Sequence, residues 1–233
     1  MTGARKVLDH GYVELMDSLG DDISVTNAAR VSHGREAGAE RNEEKDRKLI
    51  NYMMQNGHTS PFEHVVFTFK VQAPIFVFRQ WHRHRTWSFN EISGRYAELP
   101  ELFYVPEPEV IGTQRSDNKQ TREIDWTATV NERSAVGTMR ETGKGVFRIY
   151  HELLKMDVPR ELARTVLPVS TYSRMYATVD LHNLFHFLKL RLHPHAQWEI
   201  RQYAKALLSL IKIEVPLCVE AWMKTVNEED LDL

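Results

Sequence analysis

At 233 residues, with 42% hydrophobic and 27% charged residues, the chain has an ordinary globular composition, which excludes a disordered or fibrous protein. Its formal net charge of -2 argues against duplex binding, which takes a strong basic excess, and its one cysteine, Cys218, excludes an intrachain disulfide or a cysteine-rich zinc module. No apolar run approaches the roughly 18 residues of a spanning helix, and the opening MTGARKVLDHGYVELM lacks the apolar core of a signal peptide, so the expected location is the cytoplasm.

In chain order, Lys6 to Leu15 carries β-type residues broken at Gly11, which predicts a short strand and turn. Ile23 to Val31 predicts a short helix that delivers Ser32 and His33. Residues 34 to 46 are charged and contain glycine, as in a surface loop. Leu49, Ile50, Met53 and Met54 then follow helical spacing up to a stop at Asn56-Gly57. In VVFTFKV, Phe67, Phe69 and Val71 alternate with Val66, Thr68 and Lys70, a period of two that predicts a strand. Pro74 fits the first turn of a helix, IFVFRQWHRH, in which Arg79 and Arg83 would share a face.

Prolines 100, 106 and 108 predict extended loop between Leu99 and Asn118. Apolar positions from Trp126 to Leu154 predict one or two long helices with a weak point at Gly143-Lys144-Gly145. Pro159 opens a further helix, RELARTV, and VSTYSRMYATV reads as a β segment. Asp180 is a suitable N-cap for LHNLFHFLKLRL. After His193-Pro194-His195 a final long helix carries Ile200, Ala204, Leu207 and Ile211 on one side, and the acidic end NEEDLDL reads as a solvated tail. The expected architecture is α+β: residues 1–233 as a single domain with a mostly antiparallel central sheet packed against several long helices.

The stretch Arg79 to Tyr96, RQWHRHRTWSFNEISGRY, concentrates the chemistry. Arg79, Arg83, Arg85 and Arg95, with His82 and His84, face one carboxylate, Glu91, so positive charge is locally uncompensated. Guanidinium forks, the hydroxyls of Ser88 and Ser93, and Gly94, where backbone can approach a ligand, are what an anionic oxygen needs. A phosphate-bearing ligand follows.

Residues 83 to 96, R-H-R-T-W-S-F-N-E-I-S-G-R-Y, resemble the signature of flavin-dependent thymidylate synthases: an Arg-His-Arg triplet, then Ser88, Asn90, Ser93, Arg95 and Tyr96 at fixed distances. The upstream segment His58 to His64, the downstream PRELARTVLP, Arg174, and His195 to Arg201 (HAQWEIR) also resemble family segments in family order; residues 34 to 46 and 107 to 140 show least resemblance. The resemblance implies synthesis of dTMP from dUMP, with methylene-tetrahydrofolate as carbon donor and NADPH as reductant through bound FAD. It also implies a homotetramer with active sites shared between subunits. By the family pattern, Arg83, His84, Arg85 and Glu91 contact flavin, helped by Ser32, His58, Ser60, Arg191 and His195. Gln80, Arg83, Glu91, Ser93, Gly94, Arg95 and Arg174 hold dUMP, and Arg201 stabilises negative charge on the pyrimidine as N3 ionises. No cysteine nucleophile, metal, nucleic acid or membrane partner is expected.

Simpler readings compete with these. Ser93 could be a nucleophile, but no Asp-His relay surrounds it. His82 and His84, or His193 and His195, have metal-like spacing, yet arginines flank the first pair and no thiol or carboxylate adjoins the second. Trp81, Trp87 and Phe89 could stack on a ligand or pack in the core. The alternative function is a nucleotide- or RNA-binding protein that uses Arg79 to Arg95 without catalysis. The absence of a Gly-rich fingerprint after a strand argues against a Rossmann dehydrogenase.

Overall fold

The computed structural model describes residues 3–32, 34 and 42–233. The chain begins with β1 (Arg5–Val7), β2 (Gly11–Leu19), α1 (Asp22–Val31), α2 (Glu43–Gln55), β3 (Val66–Pro74), α3 (Ile75–Trp81) and β4 (Ser88–Glu91). It continues through β5 (Thr113–Gln114), β6 (Arg122–Glu123), α4 (Val130–Lys155), α5 (Arg160–Ala163), β7 (Tyr172–Asp180), α6 (Leu181–Arg191), α7 (Trp198–Glu214) and α8 (Pro216–Met223). The main sheet has the order β1-β2-β3-β7-β4 with every neighbouring pair antiparallel, so the expected α+β architecture is what forms.

The period of two in β3 sorts its faces. Phe67, Phe69 and Val71 are buried and lie opposite Val179, Ala177 and Met175 of β7. Helices α6, α7 and α8 complete that core with Leu184, Phe187, Leu207, Leu210 and Val219. The other face carries Lys70, the Thr68 and Thr178 hydroxyls bonded at 3.0 Å, Arg174 and a half-exposed Tyr176. Asp180 caps α6 by accepting from Asn183 N at 2.9 Å, as its place before an apolar stripe predicts.

Several expectations are corrected. The expected short strand and turn form as β1 and residues 8–10, but Gly11 opens β2 instead of lying in the break; a Cβ there would lie 2.1 Å from Tyr203 Oη, whose hydroxyl crosses to donate to Gln72 O at 2.9 Å. Most of the predicted loop at 34 to 46, with His33, lies outside the described residues, and helix α2 already begins at Glu43, capped by Asn42. Helix α4 is continuous through Gly143, and Trp126 precedes it with a positive φ of 62°. Gly143 is a close approach instead of a weak point: a Cβ there would sit 2.3 Å from the Phe103 ring, which packs on α4 in a second small core with Phe147, Tyr150 and Ala163.

Helix α3 stops at Trp81 with His82 as C-cap, so Arg83 falls outside it and shares no helical face with Arg79. The acidic end is docked, not solvated: Leu231 is 8% exposed and Asp232 N donates to Leu192 O at 2.8 Å. Cys218 is buried in α8, where burial raises its thiol pKa far above the ordinary range. Its backbone N–H and that of Leu217 donate to the buried Asp22 carboxylate at 2.9 and 2.8 Å, tying α8 to α1. Among the described residues no helix is long and apolar enough to cross a membrane.

Candidate active site

Trp81 and Trp87 are buried and pack edge-on at 5.6 Å between ring centroids, so both belong to the core. This anchors the two ends of the turn that carries the Arg-His-Arg triplet. Between them His84 is 7% exposed, its ring 4.7 Å from Phe187. Its Nε2 accepts from Arg191 Nε at 2.9 Å, which places the imidazole proton on Nδ1. Burial foremost, then the charges of Arg191 and His186, lower its pKa from 6.5 to about 4, so His84 is neutral near pH 7.

Arg191, at the end of α6, also donates to Gln80 O at 3.2 Å. Its acceptors are thus neutral, and its charge is not cancelled by a carboxylate among the described residues. Burial, then the nearby charge of Arg83, lowers its pKa. The short segment between α6 and α7 carries His195, and Arg201 lies one turn into α7. Gln80, Arg191, His195 and Arg201 line one cleft of about 400 Å³ with Arg122 and Trp198. Four of the expected residues, from α3 and from the stretch between the end of α6 and the first turn of α7, therefore line one cleft.

Arg201 is only 14% exposed at its side chain, and its Nε is buried without a hydrogen-bond partner among the described residues. A buried orphan donor is destabilising by about 1–3 kcal/mol, the kind of cost a fold retains where a ligand needs the group. Sequence reasoning missed the neighbours that complete this wall. Arg122 bonds Glu199 at 2.7 Å and donates from Nε to Val110 O at 2.7 Å, while Tyr104 Oη reaches Glu199 at 3.3 Å. Glu199 stands inside HAQWEIR and was available to be found. Its partner Arg122 belongs to the stretch with least resemblance and carried no signal.

A second cleft, of about 330 Å³, gathers Glu91 and Ser93 with Arg79, His82 and Arg164. Gly94 is buried beside it, where a Cβ would lie 3.1 Å from Arg164 Cδ. Ser93 Oγ accepts from Arg95 N at 3.2 Å, leaving its proton for an external acceptor, and Glu91 accepts from Ser173 Oγ at 2.6 Å. Arg95 is exposed, 3.7 Å from the Glu161 carboxylate. Gln80 faces the first cleft and Arg79 the second, so α3 divides them.

The other predicted residues are brought to neither cleft. Arg174 bonds Gln72 Oε1 at 3.3 Å on the open sheet face, and Arg83 and Arg85 are exposed. Exposed His58 lines a recess of about 180 Å³ with His182 and His186, and Ser60 opens the following 3₁₀ turn. Ser32 caps α1 with its hydroxyl on Ala29 O at 2.7 Å.

The sequence of residues 14–217 matches the model of the family described as thymidylate synthase complementing protein. A flavin-dependent thymidylate synthase from Thermus thermophilus is 51% identical over 222 residues, 95% of this chain and 79% of that protein. One from Thermotoga neapolitana is 46% identical over 225 residues, 97% of this chain and 96% of that protein. Among solved structures, a UMP/dUMP methylase from Streptomyces cacaoi bound with 5-Br dUMP superposes with a TM-score of 0.85 at 38% identity, covering 94% of this chain and 97% of that one. The two clefts, the buried triplet histidine and the arginines that face it are therefore the candidate site of a chain that belongs to the flavin-dependent thymidylate synthase family.

Proposed function

We propose that this chain, acting as one domain, makes dTMP from dUMP with methylene-tetrahydrofolate as carbon donor and NADPH-reduced FAD as hydride donor. The observation that carries the reading is the cleft where Gln80, Arg191 and His195 meet Arg201, with Arg191 held from behind by buried His84 and its charge uncancelled by a carboxylate among the described residues. That donor set suits an electron-rich heterocycle bearing anionic groups, and FAD fits it: Arg191 is preoriented by neutral acceptors, with His195 alongside. Bound reduced FAD supplies the hydride.

The chain's own residues do the rest. Arg201 holds a largely buried guanidinium where it stabilises negative charge on the pyrimidine as N3 ionises, which prepares C5 and C6 for carbon and hydride. Arg83, His84, Arg85, Glu91, Ser32, His58, Ser60, Arg191 and His195 serve the flavin. Gln80, Ser93, Gly94, Arg95 and Arg174 hold dUMP, with Arg95, Arg174 and the Ser93 hydroxyl on its phosphate. Because Ser93 and Arg201 belong to different clefts of one protomer, a complete site takes its nucleotide loop and its Arg201 cleft from different subunits of a homotetramer. Exposed apolar side chains such as Tyr96 (81%), Leu162 (58%) and Val169 (63%) offer contact surface for that assembly. Buried Cys218 is no nucleophile in this scheme.

An absorption spectrum of the purified protein tests the reading. The expected result is a flavin spectrum that bleaches with NADPH under anaerobic conditions and shifts on adding dUMP. A colourless protein with a steeply salt-dependent RNA affinity would support the non-catalytic alternative instead.

A further inference from the structure

Each cation of the Arg201 cleft is held differently. Arg122 is paired with Glu199 and Arg191 rests on neutral acceptors, whereas Arg201 is gripped by a carboxylate from the docked end of the chain. Asp232 Oδ2 lies 2.5 Å from Arg201 Nη1, and its Oδ1 is 2.9 Å from Lys205 Nζ, one helical turn further along α7. The two carboxylate oxygens are thus divided between two cations, which fixes the plane of the group. Its backbone is fixed as well, by Asp232 N on Leu192 O at 2.8 Å and by Leu231 in the core. The carboxylate engages Nη1, and Nη2 of Arg201 forms no hydrogen bond among the described residues.

We propose that Asp232 is the positioning residue of Arg201, clamping one corner of its guanidinium so that the other stays aimed into the cleft toward the substrate pyrimidine. This rests on the reading of Arg201 given above. An arginine side chain has large rotational freedom, and a charge that must reorganise as the transition state forms stabilises it less than one already in place. A carboxylate anchored at both oxygens and through its backbone removes that freedom without occupying the face the substrate uses.

The test is steady-state kinetics of Asp232→Asn and Asp232→Glu at equal flavin content, with thermal midpoints measured alongside. Asp232→Asn is expected to lower kcat by about 10-fold or more with KM for dUMP changed less than about 3-fold, because the loss falls on the transition state. Asp232→Glu, which keeps the charge but moves it out by one methylene, is expected to fall between, with a loss of about 3-fold. A kcat within about 2-fold of wild type in Asp232→Asn, or a loss that tracks flavin content or unfolding, overturns the proposal, since a mere tail anchor gives that pattern. If Asp232→Asn does not fold, Asp232→Glu decides: reduced kcat at an unchanged midpoint supports the proposal, and wild-type kcat overturns it. A wild-type protein that neither binds flavin nor converts dUMP sinks the parent reading, whereas an active wild type with an indifferent Asp232→Asn sinks this inference alone.

Discussion

Arg191 and His84, 107 positions apart in sequence, meet through a 2.9 Å hydrogen bond in which the imidazole is the acceptor. The bond exists only while His84 is neutral, since a protonated imidazole has no lone pair to offer and would face a guanidinium with like charge. The second member of the Arg-His-Arg triplet is therefore a support for an arginine on another helix, and the charge it orients meets no carboxylate among the described residues.

This support has a pH signature. The unfolded chain takes up a proton as pH falls below 6.5, while folded His84 resists down to about 4. The stabilisation from this group is complete above 6.5 and is lost as pH falls from there to 4, on the order of 3 kcal/mol in all. Urea titrations at several pH values should show this decline in the wild type and a shallower one in His84→Gln; identical slopes would remove His84 as its source.

Arg201→Lys tests the pyrimidine-facing role. An ammonium keeps the charge but cannot satisfy Asp232 at one corner and the substrate at another. Flavin content should stay near wild type while turnover falls by about 100-fold. Unchanged turnover, measured by dTMP formation, would withdraw the assignment.

Gly143→Ala tests the close approach between α4 and Phe103. The added Cβ would lie 2.3 to 2.7 Å from three ring atoms, and the ring must move out of the second core. A loss of about 1–3 kcal/mol is expected despite the better helix propensity of alanine. With Phe103→Leu in the same chain the two losses should be less than additive in denaturant titrations.

Cys218→Ala should leave turnover within about 2-fold of wild type and lower stability through the small cavity it opens. The native thiol should resist a disulfide reagent until the chain unfolds, because it is buried and its pKa is raised by burial and then by Asp22. Rapid labelling of active enzyme would contradict this.

Much of the molecule was legible where a local rule and the tertiary structure agree. The alternation in β3, the Asp180 cap and the Arg-His-Arg signature each depend on near neighbours in sequence. Gly11 and Gly143 were misread because glycine in an element looks like a break, whereas here Tyr203 and Phe103 press against the backbone from far along the chain. The final acidic segment was misread for the same reason. Its composition suits solvent, but Asp232 finds Arg201 and Lys205 across the fold, and nothing local announces that. Of the residues named by the resemblance, Gln80, Arg191, His195 and Arg201 line one cleft and His84 bonds Arg191 beside it, yet nothing in the family pattern hinted that Ser93 would open on a different cleft.

The partition made by α3, with neighbouring Gln80 and Arg79 turned to different cavities, has a genetic consequence. If catalytic centres combine the Arg201 side of one polypeptide with the Ser93 loop of another, two defective alleles can cure each other. Co-refolding a dead Arg201→Ala parent with a dead Arg95→Ala parent would then yield hybrid particles in which some centres draw both intact halves, and measurable catalysis would reappear from a mixture of inactive proteins.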